Sequence, residues 1–251
     1  AAGIKPIHGC EMYFAPLGIH VKDSTNPNLH LTILCKNEKG WENLLRLVTI
    51  AHLEGFYYKP RIDLDLLEKY HEGLIVLSGC LNGPMPYYLK RNEIQKATEL
   101  ADQFMSIFGD DFYIEIMNHG IPDQQIVVPL LYDFAANNKI KTVATNDIHY
   151  VNQEDWEVQE LLICEHMKQS YYDRIDKRYP QEFYLKTREQ LEKFIPNKDS
   201  LNTTIEIANK CTLILKKSPN RLPSTNEFEF DMYVREGKRR YRDLFENFTY
   251  V

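Results

Sequence analysis

Short apolar segments alternate with longer amphipathic segments along most of this chain, and that rhythm restricts the folds it can adopt. The apolar segments have the length and β-branched content of buried strands, and the amphipathic segments show the periodic spacing of helices. A repeating strand–helix pattern predicts a parallel sheet covered by helices, either a βα barrel or a doubly wound sheet. In both folds, functional side chains gather at the carboxyl ends of the strands.

Four segments are predicted as strands: residues 29–35, 74–80, 112–117 and 142–147. Six segments are predicted as helices: residues 39–55, 91–109, 124–139, 155–167, 187–195 and 200–213. Gly55 and Gly109 are expected to close the first two helices. Pro129 is expected to interrupt the third helix, and Ser200 to cap the last one.

The character of the sequence changes near Lys216, so we interpret residues 1–215 as one domain. Residues 216–251 are predicted to form a polar, proline-containing linker and a C-terminal helix with a basic stretch from Arg235 to Arg242. A solvated helix face is the simpler interpretation of that stretch, with contact to DNA as the alternative. The chain begins at Ala1 without an initiator methionine, so we expect it to start partway through a fold.

Composition narrows the class of protein. The apolar fraction is 43% and the charged fraction 26%, so a chain of 251 residues can build its own core. A net charge of −6 argues against a surface that binds nucleic acid by charge alone. The five cysteines include no CxxC pair, which favours a reducing compartment over a disulfide framework. No stretch reads as a signal peptide or a bilayer span, so we expect a cytoplasmic protein with no membrane partner.

Chemically active side chains stand at or beside the predicted strand ends: Glu11, His30, Cys80, Asp147 and His149. Glu11 follows the segment 4–10, and His30 stands at the head of a strand. Such groups converge at one mouth of a βα barrel, and they are the side chains that bind Zn²⁺, Mn²⁺ or Fe. Because residues i and i+2 of an extended segment point the same way, Asp147 and His149 are expected to reach one site together.

Each of these residues also has an ordinary structural interpretation. Asp147 after an asparagine can be a turn former. Cys80 can be a small buried apolar residue, and Glu11 a surface charge. A histidine at the start of a strand is more often a core or turn residue than a ligand. On the residues alone, these alternatives stay open.

Two cations and a further histidine are weaker candidates. Arg61 and Lys59 are predicted to hold a phosphate near the mouth, although Arg61 can equally pair with Asp63. His119 follows the third predicted strand and is interpreted as a turn residue, with a place beside the metals as the alternative.

Six segments occur in one order between about Gly3 and about Cys211: GCEMYFAP, LHLTILCKNEKGWENLLRLVT, FYYKPRIDLDLLEKYHEGLIVLSGCL, MNHGIPDQQ, VATNDIHYVNQEDWEVQELLIC and EFYLKTREQLEKF. Together they resemble the polymerase-and-histidinol-phosphatase (PHP) domain of bacterial replicative DNA polymerase III alpha subunits. The resemblance implies a distorted (β/α)7 barrel whose mouth holds up to three divalent metal ions, with Zn, Mn or Fe as the candidates.

The resemblance carries the family's ligand pattern onto five residues: Glu11 of the GCE motif, His30 before the next strand, Cys80 of the SGC motif, and the Asp-x-His pair Asp147 and His149. It implies metal-dependent phosphoester hydrolysis, as a 3′–5′ exonuclease or a pyrophosphatase. The family also has a His-x-His motif and an Asp-His pair upstream of the glutamate. This chain starts after both, so we expect its first strands to be missing and fewer ions to bind.

The resemblance further implies a parent DNA-directed DNA polymerase of DNA replication, with its palm beyond Val251. The implied partners are DNA, the proofreading exonuclease subunit and other replicase subunits. One alternative is a catalytically inactive PHP scaffold that stabilises the polymerase and binds the proofreading exonuclease. A second alternative is a free-standing phosphatase of the histidinol-phosphatase type. The blocks FYYKPRID and EFYLKT favour the polymerase branch.

Overall fold

The computed structural model describes residues 3–177 and 179–216. Within these residues six strands form one sheet: β1 Gly9–Phe14, β2 Leu29–Cys35, β3 Arg61–Ile62, β4 Leu74–Leu77, β5 Phe112–Ile116 and β6 Thr142–Ala144. Eight α-helices accompany them: α1 Glu38–Leu53, α2 Leu64–Lys69, α3 Pro84–Leu89, α4 Ile94–Phe108, α5 Pro122–Asn138, α6 Trp156–Met167, α7 Arg188–Glu192 and α8 Lys198–Lys210. This mixed α/β architecture is consistent with the βα-barrel class that the sequence predicts.

The sheet has the strand order β3-β1-β2-β4-β5-β6, and in the described ranges no pairing joins β3 to β6. Strand β2 runs antiparallel to both β1 and β4, whereas the other neighbouring pairs are parallel. The expectation of a parallel sheet is therefore wrong at β2. Because β2 is reversed, His30 at its start lies at the same edge as the carboxyl ends of the other strands.

The two faces of the sheet are packed differently. Along β2, alternate residues from Leu29 to Cys35 are buried in the main core, while His30 and Thr32 point to the other face and are only partly buried. The main core is covered by α1, α3, α4 and α5. On the other face a smaller apolar cluster joins β4, β5 and β6 to helix α8. Full burial of one large apolar side chain stabilises the fold by about 1.5–3 kcal/mol.

Several predicted elements differ from the structure. The predicted interruption at Pro129 is wrong: helix α5 continues through this residue, which lies on the exposed side of the helix. Ser200 is not the cap of α8: Asn197 is the N-cap, and its side chain accepts a hydrogen bond from the Ser200 N–H. Strand β6 is shorter than the predicted strand 142–147, since it ends at Ala144.

The chain up to Ile214 forms one compact unit. The linker and C-terminal helix predicted for residues 216–251 lie outside the described residues, apart from Lys216, and stay predictions. In the described part of the chain, no helix has the length and apolar character needed to cross a bilayer.

Candidate metal centre

Glu11 and His30 meet across the β1–β2 pair, on the partly buried face of the sheet. Tyr13 lies opposite His30 and Glu11 lies opposite Thr32, so Glu11 and His30 are diagonal neighbours. The Glu11 Oε1 atom lies 2.6 Å from His30 Nδ1. Glu11 therefore lies inside strand β1, Gly9–Phe14, and not beyond the end of a strand as expected.

The turn after β4 places Cys80 against His30. Gly79 has a φ of +80°, and a Cβ atom there would lie 2.2 Å from the His30 carbonyl oxygen, so glycine is required. The His30 N–H donates a 2.9 Å hydrogen bond to the Asn82 carbonyl and ties the turn to β2. Cys80 Sγ consequently lies 3.5 Å from His30 Nδ1. Cys80 belongs to this turn and not to the strand predicted for 74–80, since β4 ends before it.

Glu11, His30 and Cys80 form a trio whose candidate ligand atoms all lie within 4.8 Å of one another. Hydrogen bonds with Cys80 and with Glu11 raise the pKa of His30 to about 10. The hydrogen bond from His30 lowers the pKa of Glu11. A proton on His30 therefore links the three side chains, and His30 would have to lose one proton to become a metal ligand, because only the neutral imidazole binds metal.

Asp147 and His149 line the same pocket as the trio, and this pocket has a volume of about 520 Å³. Among the described residues, the group within 4.8 Å does not include them. Asp147 has a φ of +39°, a left-handed conformation that is strained for a residue other than glycine. The prediction that an extended segment directs both side chains is therefore wrong. His149 Nδ1 instead lies 2.9 Å from the Asp147 carbonyl oxygen and 3.7 Å from its Oδ1.

The segment EFYLKT holds the loop after β6 in place. The His149 N–H donates to the Phe183 carbonyl over 2.8 Å. The side-chain amide of Asn146 donates to the Tyr184 carbonyl over 2.7 Å. This segment is one of the blocks that carry the family resemblance, and these bonds give it a structural role in positioning the Asp-x-His pair.

His119 supports the same loop from another side. Its buried ring stacks on Phe183 with 4.2 Å between ring centroids. Its Nε2 lies 2.9 Å from the Asn146 carbonyl oxygen, and its Nδ1 lies 3.0 Å from the Gln124 side-chain nitrogen. A carbonyl accepts and an amide nitrogen donates, so these partners assign a neutral ring with its proton on Nε2. Burial lowers the pKa of His119, which agrees with that form. The residue lies in a bend, as predicted, and it is also a buried part of the pocket wall.

Sequence reasoning missed Glu115 on β5. The hydroxyls of Thr32 and Thr145 and the N–H of Gly79 donate to its carboxyl oxygens. Burial raises the pKa of Glu115 to about 7. The available signal was a charged residue inside the segment FYIEI, because such a residue in a fully buried strand needs polar partners.

The two predicted phosphate contacts differ in their surroundings. The Arg61 guanidinium is fully buried and donates to the backbone carbonyls of Gly55, Ile19 and Val21. That arrangement does not support a phosphate contact. Arg61 instead stabilises the backbone of two loops and is not hydrogen-bonded to Asp63. Lys59 is exposed, and its Nζ lies 5.4 Å from the ring centroid of Tyr13. The Tyr13 ring in turn contacts the ring of His30, so Lys59 stays a candidate at the rim.

Comparison with known proteins identifies the family of this chain. Residues 1–119 match the family model described as PHP domain. The DNA polymerase III subunit alpha of Borreliella burgdorferi is 43% identical over 216 residues, which are 84% of this chain and 19% of that protein. The subunits of Treponema pallidum and Thermus aquaticus are 38% and 40% identical, over 89% and 86% of this chain and 20% and 18% of theirs. The chain spans about a fifth of the length of these relatives. The resemblance found in the sequence is thereby confirmed: the chain belongs to the family of PHP-domain segments of DNA polymerase III alpha subunits.

Proposed function

We propose that the pocket binds divalent metal ions and hydrolyses phosphoesters. The observation that carries this proposal is the convergence of Glu11, His30 and Cys80 within 4.8 Å at a pocket that Asp147 and His149 also line. Imidazole nitrogen, thiolate sulfur and carboxylate oxygen are together a donor set suited to Zn²⁺ or Fe, and Mn²⁺ favours the oxygen donors. The residues therefore fit a metal site, with the trio as its firmest part.

The side chains around the pocket suit a phosphoester substrate. A bound divalent ion lowers the pKa of water and neutralises phosphate oxygens. Lys59 at the rim supplies positive charge for a phosphate, whereas Lys90 in the pocket wall is already paired with Asp123. Trp156, Tyr179 and Phe183 also line the pocket and offer apolar surface on which the rest of a nucleotide can pack. We accordingly propose 3′–5′ exonuclease or pyrophosphatase activity for this site.

The activity of the longer parent protein belongs to the same proposal. The relatives bear the name DNA polymerase III subunit alpha. We propose that this chain is part of a DNA-directed DNA polymerase that acts in the cytoplasm on DNA, together with a proofreading exonuclease and other replicase subunits.

Metal content of the 251-residue chain tests the metal site directly. The chain and its Cys80→Ala, Asp147→Ala double variant are dialysed against Zn²⁺ or Mn²⁺ and measured by elemental analysis. A Cys164→Ala, Asp133→Ala variant is the matched control, because Cys164 is a buried thiol on α6 and Asp133 an exposed carboxylate on α5. We expect metal loss only in the first variant. Equal metal content in all three would rule out the proposed site.

The substrate is tested by comparing digestion of single-stranded DNA with hydrolysis of a small phosphomonoester. Faster digestion of DNA supports the exonuclease, and exclusive hydrolysis of the monoester supports the phosphatase alternative. Both activities should fall in the Cys80→Ala, Asp147→Ala variant and persist in the control variant.

A scaffold is the second candidate function, and helix α6 supplies an observation in its favour. Val158, Leu161 and Leu162 on α6 are 59%, 54% and 55% exposed, an unusual apolar surface for a solvated helix. A scaffold that binds the proofreading exonuclease predicts that a Leu161→Asp, Leu162→Asp variant loses this partner in size-exclusion chromatography. Cys80→Ala should keep it. If both variants still bind the proofreading exonuclease, the result would count against the scaffold.

A further inference from the structure

Glu115 on β5 is a buried carboxyl whose partners come from three separate segments. Only 3% of the residue is exposed. Oε1 accepts a 2.7 Å hydrogen bond from the Thr145 hydroxyl. Oε2 accepts from the Thr32 hydroxyl at 3.0 Å and from the Gly79 N–H at 3.1 Å. Three of the roughly four lone-pair sites of this carboxylate are thus occupied by protein donors.

Each donor stands next to a residue of the candidate metal centre. Thr32 lies two residues after His30 on β2 and directly opposite Glu11. Gly79 immediately precedes Cys80 in the turn after β4. Thr145 lies two residues before Asp147 in the loop after β6.

We propose that Glu115 is a positioning residue of the centre: it holds β2, the turn after β4 and the loop after β6 in register, so that their ligands face one pocket. The identity of those ligands rests on the proposed metal function, whereas the register itself does not. The Ser78 hydroxyl accepts a 2.9 Å hydrogen bond from the Glu115 N–H, so Glu115 itself is bonded twice to the segment after β4. Glu115 acts through its neighbours, since its oxygens are turned to protein donors.

Glutamine is the informative substitution at this position. Its amide oxygen can keep the two donors that meet at Oε2, and its NH₂ group can donate to the Thr145 hydroxyl, which also accepts. Alanine removes every acceptor and leaves the Gly79 N–H without a partner. Positioning therefore predicts failure in Glu115→Ala and rescue in Glu115→Gln.

Amide hydrogen exchange of the full chain without added metal is the first readout. In Glu115→Ala we expect about 10-fold faster exchange at the Gly79 amide, together with faster exchange in residues 30–32 and 145–149, as the loss of one hydrogen bond predicts. Glu115→Gln should restore protection. Ile114→Ala is the control for a general loss of packing, because Ile114 is fully buried on the opposite side of β5. Unchanged exchange at Gly79 in Glu115→Ala, or the same pattern as in Ile114→Ala, would overturn the proposal.

Co²⁺ is the second readout, because a thiolate bound to Co²⁺ gives a charge-transfer absorption that reports Cys80. With the original chain and Glu115→Gln we expect this absorption on titration with Co²⁺, and with Glu115→Ala a shifted or weakened one. If the original chain gives no such absorption, the proposed metal function fails, and the exchange data still decide whether Glu115 positions the three segments. A Glu115→Ala absorption identical to that of the original chain would count against Glu115 as a positioning residue.

Discussion

The candidate metal centre has two halves that are held by different means. Glu11, His30 and Cys80 form the strand half, which is fixed by the β1–β2 ladder and by a turn bonded to β2. Asp147 and His149 form the loop half, which follows a three-residue strand and is held by contacts with the segment EFYLKT. Only the strand half has its ligand atoms within 4.8 Å of one another among the described residues. A binding site can therefore combine a preorganised part with a part that adjusts when a ligand arrives.

Each half contains one residue with a left-handed backbone, and the two are not equivalent. Gly79 in the strand half has a φ of +80° and lies against the His30 carbonyl. Asp147 in the loop half has a φ of +39° although it carries a side chain. The strand half thus uses the residue that suits this conformation, whereas the loop half accepts strain at a candidate ligand.

The largest effect is expected from Gly79→Ala, which should separate the turn from β2. The new Cβ atom would lie 2.2 Å from the His30 carbonyl oxygen, and the φ of +80° disfavours alanine as well. We expect the free energy of unfolding to fall by about 3 kcal/mol, measured by urea denaturation. Gly120→Ala is the matched control, since Gly120 has a φ of +81° with no atom within 4 Å of its added Cβ. Gly120→Ala should lower the free energy of unfolding by only about 1–2 kcal/mol. Equal costs at both positions would show that the contact with His30 does not matter.

Glu115→Gln should produce the next largest effect, and this effect depends on pH. The pKa of Glu115 is raised from 4.5 to about 7 in the folded chain. A folded carboxyl that keeps its proton more tightly loses stability as pH rises from the unfolded pKa through the folded one. Ionised Glu115 therefore costs up to about 3 kcal/mol above pH 7, and nothing below about pH 4.

Glutamine does not ionise, so the stability of Glu115→Gln relative to the original chain should increase between about pH 4.5 and pH 7 and level off above that range. Urea denaturation of both proteins at a series of pH values measures this difference. A cost of the substitution that does not depend on pH shifts every value equally and leaves the change with pH unaltered. A constant difference across the series would mean that Glu115 titrates normally in the folded chain.

The strand half was easier to predict from the sequence than the loop half, although the sequence did not predict how its side chains meet. Strand β2 was predicted with its observed bounds, Leu29–Cys35, because apolar residues recur along its whole length. Its direction was wrong, since a strand's sequence does not encode the orientation of its neighbours. The meeting of Glu11 with His30 depends on the register between β1 and β2, which becomes known only with the pairing.

The sequence pointed to Asp147 and His149 as a pair, and both line the pocket, but it did not predict the conformation of the loop. The extended backbone expected through Asp147 ends at Ala144. What fixes the loop instead is a distant segment, through Asn146 and Tyr184, and no local pattern reveals such a contact. The ligand roles of both residues stay predictions until metal binding is measured.

Asn146→Ala should loosen the loop half alone. It removes the 2.7 Å hydrogen bond from the Asn146 amide to the Tyr184 carbonyl, so we expect a loss of about 1 kcal/mol in the free energy of unfolding. Asn138→Ala removes a bond of the same type, 2.8 Å long, from the end of α5 to the Phe134 carbonyl. The two variants should be similar in stability, but only Asn146→Ala should bind Mn²⁺ more weakly in calorimetric titration. Equal Mn²⁺ binding by both would indicate that the loop half needs no support from EFYLKT.

Asp147→Gly is expected to have the smallest effect and the opposite sign. Glycine adopts a φ of +39° without strain, and this gain outweighs the larger entropy of the unfolded chain. We expect the free energy of unfolding to rise by about 0.5–1 kcal/mol. Lys139→Gly is a control for the stability gained by relieving a left-handed backbone, because Lys139 has a φ of +57° at the end of α5 and lies outside the pocket.

Asp147→Asn completes the comparison, since asparagine tolerates the left-handed conformation and lacks the charge. Both Asp147 variants should bind Mn²⁺ more weakly, whereas only the glycine variant and Lys139→Gly should be more stable than the original chain. These results together would mean that Asp147 is strained in the folded chain and that its carboxylate is needed for Mn²⁺ binding. If Asp147→Gly is no more stable than Asp147→Asn, the backbone at this position is relaxed, and the loop half differs from the strand half only in how it is anchored.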